Sequence, residues 1–170
     1  MSRAFVKESD NPVGSELPDR PISPHTNYVT PSGLARLRAR LLEARQRKQA
    51  LEGDGEDMES AEELRALKRE LRWLESRVGS ARRVDLAKQP RDRVAFGATV
   101  EVADDDGERS YRIVGEDEAD AEHGTVSYVS PLAKALLGAK VGEEVVWSRP
   151  AGDLTLEVLA IRYEDGPDPD

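Results

Sequence analysis

The fold of this chain is decided by residues 30–81, which read TPSGLARLRARLLEARQRKQALEGDGEDMESAEELRALKRELRWLESRVGSA. Thr30-Pro31 predicts a helix start, because a hydroxyl can cap free backbone amides and proline is favoured at the first helical position. Beyond it, apolar residues recur in steps of three and four, which is typical of a helix with one narrow apolar seam. That seam comprises Leu34, Leu37, Leu41, Ala44 and Leu51, and Lys48 interrupts it.

A second helix with the same periodicity follows a short glycine-containing turn. Gly53 and Gly55 predict the end of the first helix. The second seam comprises Ser60 or Ala61, Leu64, Leu67, Leu71, Leu74, Val78 and Ala81. Two helices joined by so short a turn must lie antiparallel with their seams in contact. At about 22 residues each, they predict an arm ~33 Å long.

Charge is distributed in blocks along this arm. Residues 31–51 carry six basic groups and one acidic group, and residues 64–83 carry seven basic groups and two acidic groups. Between them, residues 52–63 carry seven acids and no base. Acids at a helix N-terminus favour the helix dipole, so part of this block can be structural. Asp54 and Glu56 precede the second helix, and the dipole does not explain them.

Past residue 94 the apolar period changes from 3.6 to 2, which indicates strands. We expect five strands and one short helix, which predicts a small antiparallel α+β domain. Asp106-Gly107 signals a hairpin turn, and Ser130-Pro131 starts the helix, which ends at Gly138. The acidic run 116–123 is predicted to be a solvated loop, since its spacing fits neither an EF-hand nor a zinc motif.

These patterns divide the chain into five segments. The first is an extended, flexible arm with little core of its own, and the last is an acidic tail. The segments are 1–29 (arm), 30–83 (antiparallel coiled-coil hairpin with its acidic tip at 53–58), 84–93 (linker), 94–163 (β-rich domain) and 164–170 (tail).

Composition excludes several classes of function. The 170-residue chain carries a formal net charge of −9 and has no cysteine, which excludes disulfide frameworks, cysteine-based zinc sites and thiol nucleophiles. Its two histidines, His25 and His123, lie far apart in sequence, which argues against a histidine metal site or a Ser-His-Asp triad. No apolar run approaches the roughly 20 residues that span a bilayer, and no signal-peptide core is present. We expect a cytoplasmic monomer without membrane partners.

Several C-terminal motifs resemble the GreA/GreB family of bacterial transcript cleavage factors. The most specific is Ser130-Pro131-Leu132-Ala133-Lys134-Ala135-Leu136-Leu137-Gly138; Phe96–Val100, Tyr111–Gly115, Val141–Glu143 and Pro150–Gly152 also resemble the family pattern. The resemblance implies an FKBP-like second domain without isomerase activity. It also implies binding to RNA polymerase, with the coiled coil inserted through the secondary channel, close to nascent RNA and DNA.

The resemblance also implies roles for individual residues. Family members lend tip carboxylates to the polymerase active site, where they help to hold Mg²⁺ and to position the attacking water. Here the candidates are Asp54, Asp57 and Glu56, with Asp54 and Asp57 as shared Mg²⁺ ligands; the chain itself would be an accessory factor with no cofactor of its own. The candidate polymerase-binding residues are Ser130, Pro131, Leu132, Arg36, Arg40, Arg69 and Arg72.

The tip departs from the family pattern, and this leaves alternatives open. Asp57 stands where cleaving members have a glutamate, the following asparagine and an aromatic are absent, and the second helix is shorter. A Gre-like paralogue that binds polymerase and modulates or inhibits transcription without cleavage is therefore the alternative. A prolyl isomerase or chaperone, and a plain oligomerising coiled coil, are less favoured interpretations.

Overall fold

A computed structural model describes residues 18–53 and 57–164 of the chain. Two long helices form a hairpin, and a five-stranded sheet with one short helix follows, so the predicted α+β class is confirmed. The elements are β1 (Tyr28–Val29), α1 (Pro31–Gly53), α2 (Met58–Ser80), β2 (Arg82–Arg83), β3 (Thr99–Asp104), β4 (Gly107–Val114), β5 (Thr125–Ser127), α3 (Pro131–Leu136), β6 (Glu144–Trp147) and β7 (Leu154–Arg162).

Helix α1 begins where the sequence predicts. The Thr30 hydroxyl oxygen accepts a hydrogen bond from the backbone N–H of Gly33 at 3.0 Å, which is the expected cap. The apolar residues of the first seam are all buried, and all of them except Leu51 form one cluster with Leu71 and Leu74 of α2. Each helix has 23 residues, which corresponds to about 34 Å.

The buried side of α2 is shorter than the predicted seam. Of the predicted residues only Leu71 and Leu74 are buried, Ala61 is exposed and the others are partly buried, whereas Arg77 is 2% exposed. A step of three from Leu74 therefore leads to a buried arginine. Because a buried cation requires partners, Arg77 must make polar contacts at the base of the hairpin.

The end of the predicted N-terminal arm is structured. Tyr28–Val29 forms β1, which pairs in parallel with Arg82–Arg83 of β2, and Val29 is 1% exposed within the hairpin core. This differs from the expectation that residues 1–29 contribute little core. Residues 1–17 of that arm, and residues 165–170 of the predicted acidic tail, lie outside the described residues.

The five-stranded sheet has the order β5-β4-β3-β7-β6. All neighbouring strands are antiparallel except β4 and β5, which pair in parallel. The expectation of a wholly antiparallel domain is therefore wrong at this edge. The cause is the connection after β4, where two short 3-10 turns, Glu116–Glu118 and Ala121–His123, carry the chain back before β5 begins.

A second core lies between this sheet and α3. Residues from every strand of this sheet contribute to the core or pack against it. Its larger side chains that are at most 2% exposed include Val100, Val102, Ile113, Leu136, Leu156 and Val158. Helix α3 is capped by Ser130, whose hydroxyl oxygen accepts a hydrogen bond from Ala133 N–H at 3.2 Å, as the Ser-Pro signal predicts. The β3–β4 turn is made by Asp105 and Asp106, and Gly107 is the first residue of β4.

Candidate functional site

The described part of the hairpin tip is built around Asp57, the N-cap of α2. One oxygen of its carboxylate, Oδ1, accepts a hydrogen bond from the backbone N–H of Ser60 at 2.7 Å. This bond lowers the pKa of Asp57 below its ordinary value, because it favours the ionised carboxylate. Asp57 is therefore ionised at neutral pH, and the residue is exposed to solvent.

The acids that follow Asp57 in the first two turns of α2 are exposed and differ in their partners. Glu63 accepts two hydrogen bonds from Arg47 of α1, and the bonded guanidinium lowers the pKa of Glu63. Glu59 and Glu62 are exposed on the first two turns of α2. Asp54 and Glu56, the other two predicted tip carboxylates, lie outside the described residues.

Asp57 has the chemistry of a single Mg²⁺ ligand and not of a complete site. Mg²⁺ in phosphoryl-transfer sites takes one or two protein carboxylates together with phosphate and water oxygens. Within residues 18–53 and 57–164, no three histidine, aspartate or glutamate side chains are grouped so that they could hold a metal ion. The exposed carboxylate of Asp57 therefore fits a metal that other groups also bind.

Four arginines on the arm were predicted to contact a partner, and three of them have acidic neighbours. Arg40 pairs with Glu70 at 3.2 Å, Arg72 with Asp19 at 2.7 Å, and Arg36 lies 3.8 Å from Glu118. The fourth, Arg69, has a buried Nε without a hydrogen-bond partner. The pairs of Arg40 and Arg72 are exposed on both sides. Exposed ion pairs contribute little free energy, so a partner can displace these two at low cost.

The ring of Trp73 on α2 lies close to two arginine guanidinium groups. The guanidinium of Arg20 lies 4.0 Å from the ring centroid of Trp73, and that of Arg40 lies 5.7 Å from it. Trp73 is partly buried against the hairpin core. Together with the Asp19–Arg72 pair, these contacts place residues 19 and 20 on the side of α2.

The predicted contact residues around α3 have different surroundings. Pro131 is exposed and Ser130 is partly exposed as the helix cap. Leu132 is 3% exposed and belongs to the core between α3 and the sheet. Its side chain therefore packs within the domain, and of the three predicted residues only Ser130 and Pro131 are accessible to a partner.

A polar junction at the base of the hairpin was not predicted. Arg77 donates a hydrogen bond from Nε to Asp117 at 2.6 Å and another from Nη2 to Asn27 at 2.8 Å. Glu118, next to Asp117, accepts hydrogen bonds from the backbone N–H groups of Thr30 at 3.0 Å and Gly115 at 3.1 Å. The prediction of a solvated loop over 116–123 is therefore wrong for its first three residues.

Comparison with known proteins gives matches along most of the chain. The family described as "Transcription elongation factor, GreA/GreB, C-term" matches residues 89–163. Transcription elongation factor GreA of Francisella philomiragia subsp. philomiragia is 36% identical over 153 residues, covering 80% of this chain and 96% of that protein. The chain belongs to the GreA/GreB family.

Other GreA/GreB relatives match over different lengths. Transcription elongation factor GreB of Neisseria meningitidis serogroup B is 35% identical over 81% of this chain and 94% of that protein. GreA of Nitratidesulfovibrio vulgaris is 40% identical, but there the chain spans only about three fifths of the relative, 62% of its length. The crystal structure of the GreA factor homolog 1 (Gfh1) protein of Thermus thermophilus aligns at 24% identity over 81% of this chain, with a TM-score of 0.39.

Membership of the GreA/GreB family agrees with the motifs of the C-terminal domain. The matched residues include all five strands of the large sheet and α3 with its Ser130 cap. No helix within the described ranges is long and apolar enough to cross a membrane.

One pattern in the sequence agrees with the polar junction at the base of the hairpin. Arg77 lies three residues after Leu74 and directly before the predicted seam residue Val78. An acidic run directly after the β4 strand supplies its partners. An arginine beside the apolar seam of one helix, together with an acidic turn elsewhere in the chain, indicates a buried ion pair.

Proposed function

We propose that this chain is a transcription elongation factor that binds RNA polymerase, enters its secondary channel with the helical hairpin, and stimulates cleavage of backtracked transcripts through the tip carboxylates. The observation that carries the proposal is the shape and chemistry of the arm. A pair of helices about 34 Å long, with a buried apolar seam, presents ionised carboxylates at its far end. Such an arm suits delivery of charge into a narrow site.

The tip residues would act on a metal that the polymerase holds. A second Mg²⁺ in a phosphodiester-cleaving site stabilises the attacking and leaving oxygens. Asp57 is exposed, so its carboxylate can bind a metal while Oδ1 accepts the N–H bond from Ser60. The same bond fixes the orientation of the carboxylate and keeps it ionised. Asp54 is proposed as the second ligand on its sequence position, with Glu56 next to it.

The docking surfaces in this proposal are the arm and the α3 region. Arg36, Arg40, Arg69 and Arg72 would face the channel or extruded RNA, since cations favour contact with phosphate and with an acidic tunnel. The turn at Ser130 and Pro131 would contact the polymerase surface. Leu132 supports that turn from within the core.

A second candidate function is favoured by the capping role of Asp57. A carboxylate that caps α2 has a structural reason to be present, so the tip acids need not reach a metal. In that case the chain would bind the same channel and modulate or inhibit transcription without cleavage.

Transcript cleavage in a backtracked elongation complex with Mg²⁺ distinguishes the two functions. We expect the wild-type chain to shorten the RNA, and the Asp54→Asn/Asp57→Asn variant to bind polymerase without shortening it. Asparagine is as good an N-cap as aspartate, so the second substitution preserves the start of α2. Glu59→Gln/Glu62→Gln removes the same amount of tip charge and serves as the control, which we expect to cleave.

The remaining outcomes are equally informative. If the wild-type chain leaves the RNA unchanged but displaces a cleaving GreA protein from the complex, the non-cleaving function replaces the first. Equal cleavage by the wild type and by Asp54→Asn/Asp57→Asn would contradict the proposed role of these carboxylates.

A further inference from the structure

The base of the hairpin contains a buried carboxylate that connects its first helix to the C-terminal domain. The side chain of Glu118 is 3% exposed. It accepts hydrogen bonds from the backbone N–H of Thr30, from the Thr30 hydroxyl and from the backbone N–H of Gly115. Arg36 lies 3.8 Å away as its nearest cation. A buried carboxylate requires such donors, and Thr30, directly before α1, supplies two of them to Glu118.

Two glycines provide the space for this contact. A Cβ atom at Gly33 would overlap the carboxyl group of Glu118, and one at Gly115 would overlap the backbone oxygen of Tyr28. Glycine within a helix is less favourable than alanine. Its presence in the first turn of α1 is therefore explained by the close approach of Glu118.

The second helix is attached to the adjacent residue. Asp117 accepts the hydrogen bond from Arg77 at 2.6 Å, and Asn27 bridges the same arginine, donating from Nδ2 to the Arg77 carbonyl oxygen at 2.8 Å. Glu116 lies 3.9 Å from the guanidinium. Arg77 lies in the last turn of α2, so the two helix ends at the base contact one short turn of the C-terminal domain.

We propose that Asp117 and Glu118 are positioning residues that set the direction of the arm relative to the five-stranded domain. Two attachment points on two different helices prevent both tilting and rotation, which a single point would allow. The arm is about 34 Å long, so a tilt of 10° at its base would displace the tip by about 6 Å. Groups that act on a reacting centre tolerate far smaller errors.

The consequence for activity rests on the proposed function, whereas the geometry can be measured without polymerase. The chain has no cysteine, so spin labels can be attached at Gln46→Cys on α1 and Glu108→Cys on β4, both exposed positions. Electron–electron double resonance then reports the distance between arm and domain. We expect one narrow distance distribution for the otherwise unchanged chain.

Matched substitutions test the two attachment points. Gly33→Ala and Glu118→Gln should each broaden or shift the distribution, and Asp117→Asn should do so through the other helix. Gly79→Ala and Glu122→Gln are the controls, since a Cβ at Gly79 meets no atom within 4 Å and Glu122 is exposed. Circular dichroism at the measurement temperature confirms that each variant is folded; should Glu118→Gln not fold, Asp117→Asn provides the test.

A double substitution tests the contact itself. Glu118→Ala removes the group that a Gly33 side chain would meet, so Gly33→Ala should broaden the distribution much less in that background than alone. Unchanged distributions in Gly33→Ala, Glu118→Gln and Asp117→Asn would overturn the proposal. Broadened distributions with undiminished effect on polymerase would likewise overturn a positioning role. A chain that lacks cleavage altogether but shows the expected broadening would refute the cleavage function and leave the junction supported.

Discussion

Carboxylates occur at both ends of the helical hairpin, in opposite surroundings. At the base, Asp117 and Glu118 are largely shielded from solvent and bonded to the two helices. At the tip, Asp57, Glu59 and Glu62 are exposed, and Oδ1 of Asp57 accepts the capping hydrogen bond from Ser60. Buried carboxylates must be fully partnered, whereas exposed ones need not be. The acids at the base therefore bond within the protein, and the exposed acids at the tip are accessible to a ligand.

This difference assigns separate tasks to the two ends. In the proposals above, the base determines where the arm points, and the tip determines which groups the arm presents to a partner. A substitution at the base should therefore change stability or geometry first, while one at the tip should change chemistry with little effect on folding. The predictions below test that separation, beginning with the largest expected effect.

Replacing Arg77 with alanine should give the largest loss of stability. It leaves Asp117 as a shielded carboxylate without its main cation and removes a hydrogen bond to Asn27. Breaking a buried pair in this way costs about 3–5 kcal/mol in the free energy of unfolding. Urea denaturation followed by circular dichroism measures the change.

Arg72→Ala is the matched control for this prediction. Arg72 lies on the same helix and pairs with Asp19, but both side chains of that pair are about half exposed. Such a pair contributes less than about 1 kcal/mol. If both variants lost similar amounts of stability, the distinction between base and surface would be wrong.

The main elements of the fold follow from local sequence signals. Thr30-Pro31 and Ser130-Pro131 each mark a helix start that the structure confirms, because a cap is made by neighbouring residues. The first apolar seam is buried as its spacing predicts. The parallel pairing of β5 with β4 was missed, since it depends on how the chain reverses through 115–124 and not on the alternation within either strand.

The sites were less predictable for a related reason. Arg77 and Asp117 are 40 residues apart, and Thr30 and Glu118 are 88 apart, so no local spacing connects them. Leu132 belongs to a motif whose residues divide between core and surface, and only the fold separates them. The tip acids could be located from the charge block, and the sequence indicated that part of the block stabilises α2 through the helix dipole; the side-chain cap formed by Asp57 was not predicted.

Core substitutions along the arm should show a gradient from base to tip. Leu74 is 0% exposed, and its replacement by alanine should cost about 2–5 kcal/mol through lost burial and a residual cavity. Leu64, nearer the tip, is only partly buried. Leu64→Ala should cost about 1 kcal/mol, because less apolar surface is re-exposed.

Thermal or urea unfolding of the two leucine variants measures this gradient. Leu42→Ala is a surface control on α1, since Leu42 is largely exposed, and it should change stability little. Equal losses at Leu64 and Leu74 would mean that the arm is as tightly packed near its tip as at its base, which would contradict the separation of tasks.

The smallest expected effect is the titration of Asp57. Its pKa is lowered chiefly by the hydrogen bond from Ser60 N–H, so the folded protein holds this proton less tightly than the unfolded chain does. The resulting stabilisation is present above the unfolded pKa of about 3.9 and is lost as the pH falls through the lower, folded pKa. Stability relative to Asp57→Ala should accordingly be constant from pH 7 to about pH 5 and decline below about pH 4.

The amide proton of Ser60 reports this titration directly, because it donates to Asp57 Oδ1. We expect its chemical shift to change with a midpoint below 3.9, and we expect the change to vanish in Asp57→Asn, which keeps a capping oxygen without a titrating group. Glu63 also has a lowered pKa, through Arg47, but its proton equilibrium is common to the wild type and to the Asp57 variants and cancels in their difference. A Ser60 midpoint above 3.9 would contradict the lowered pKa of Asp57 and the stabilisation expected from it.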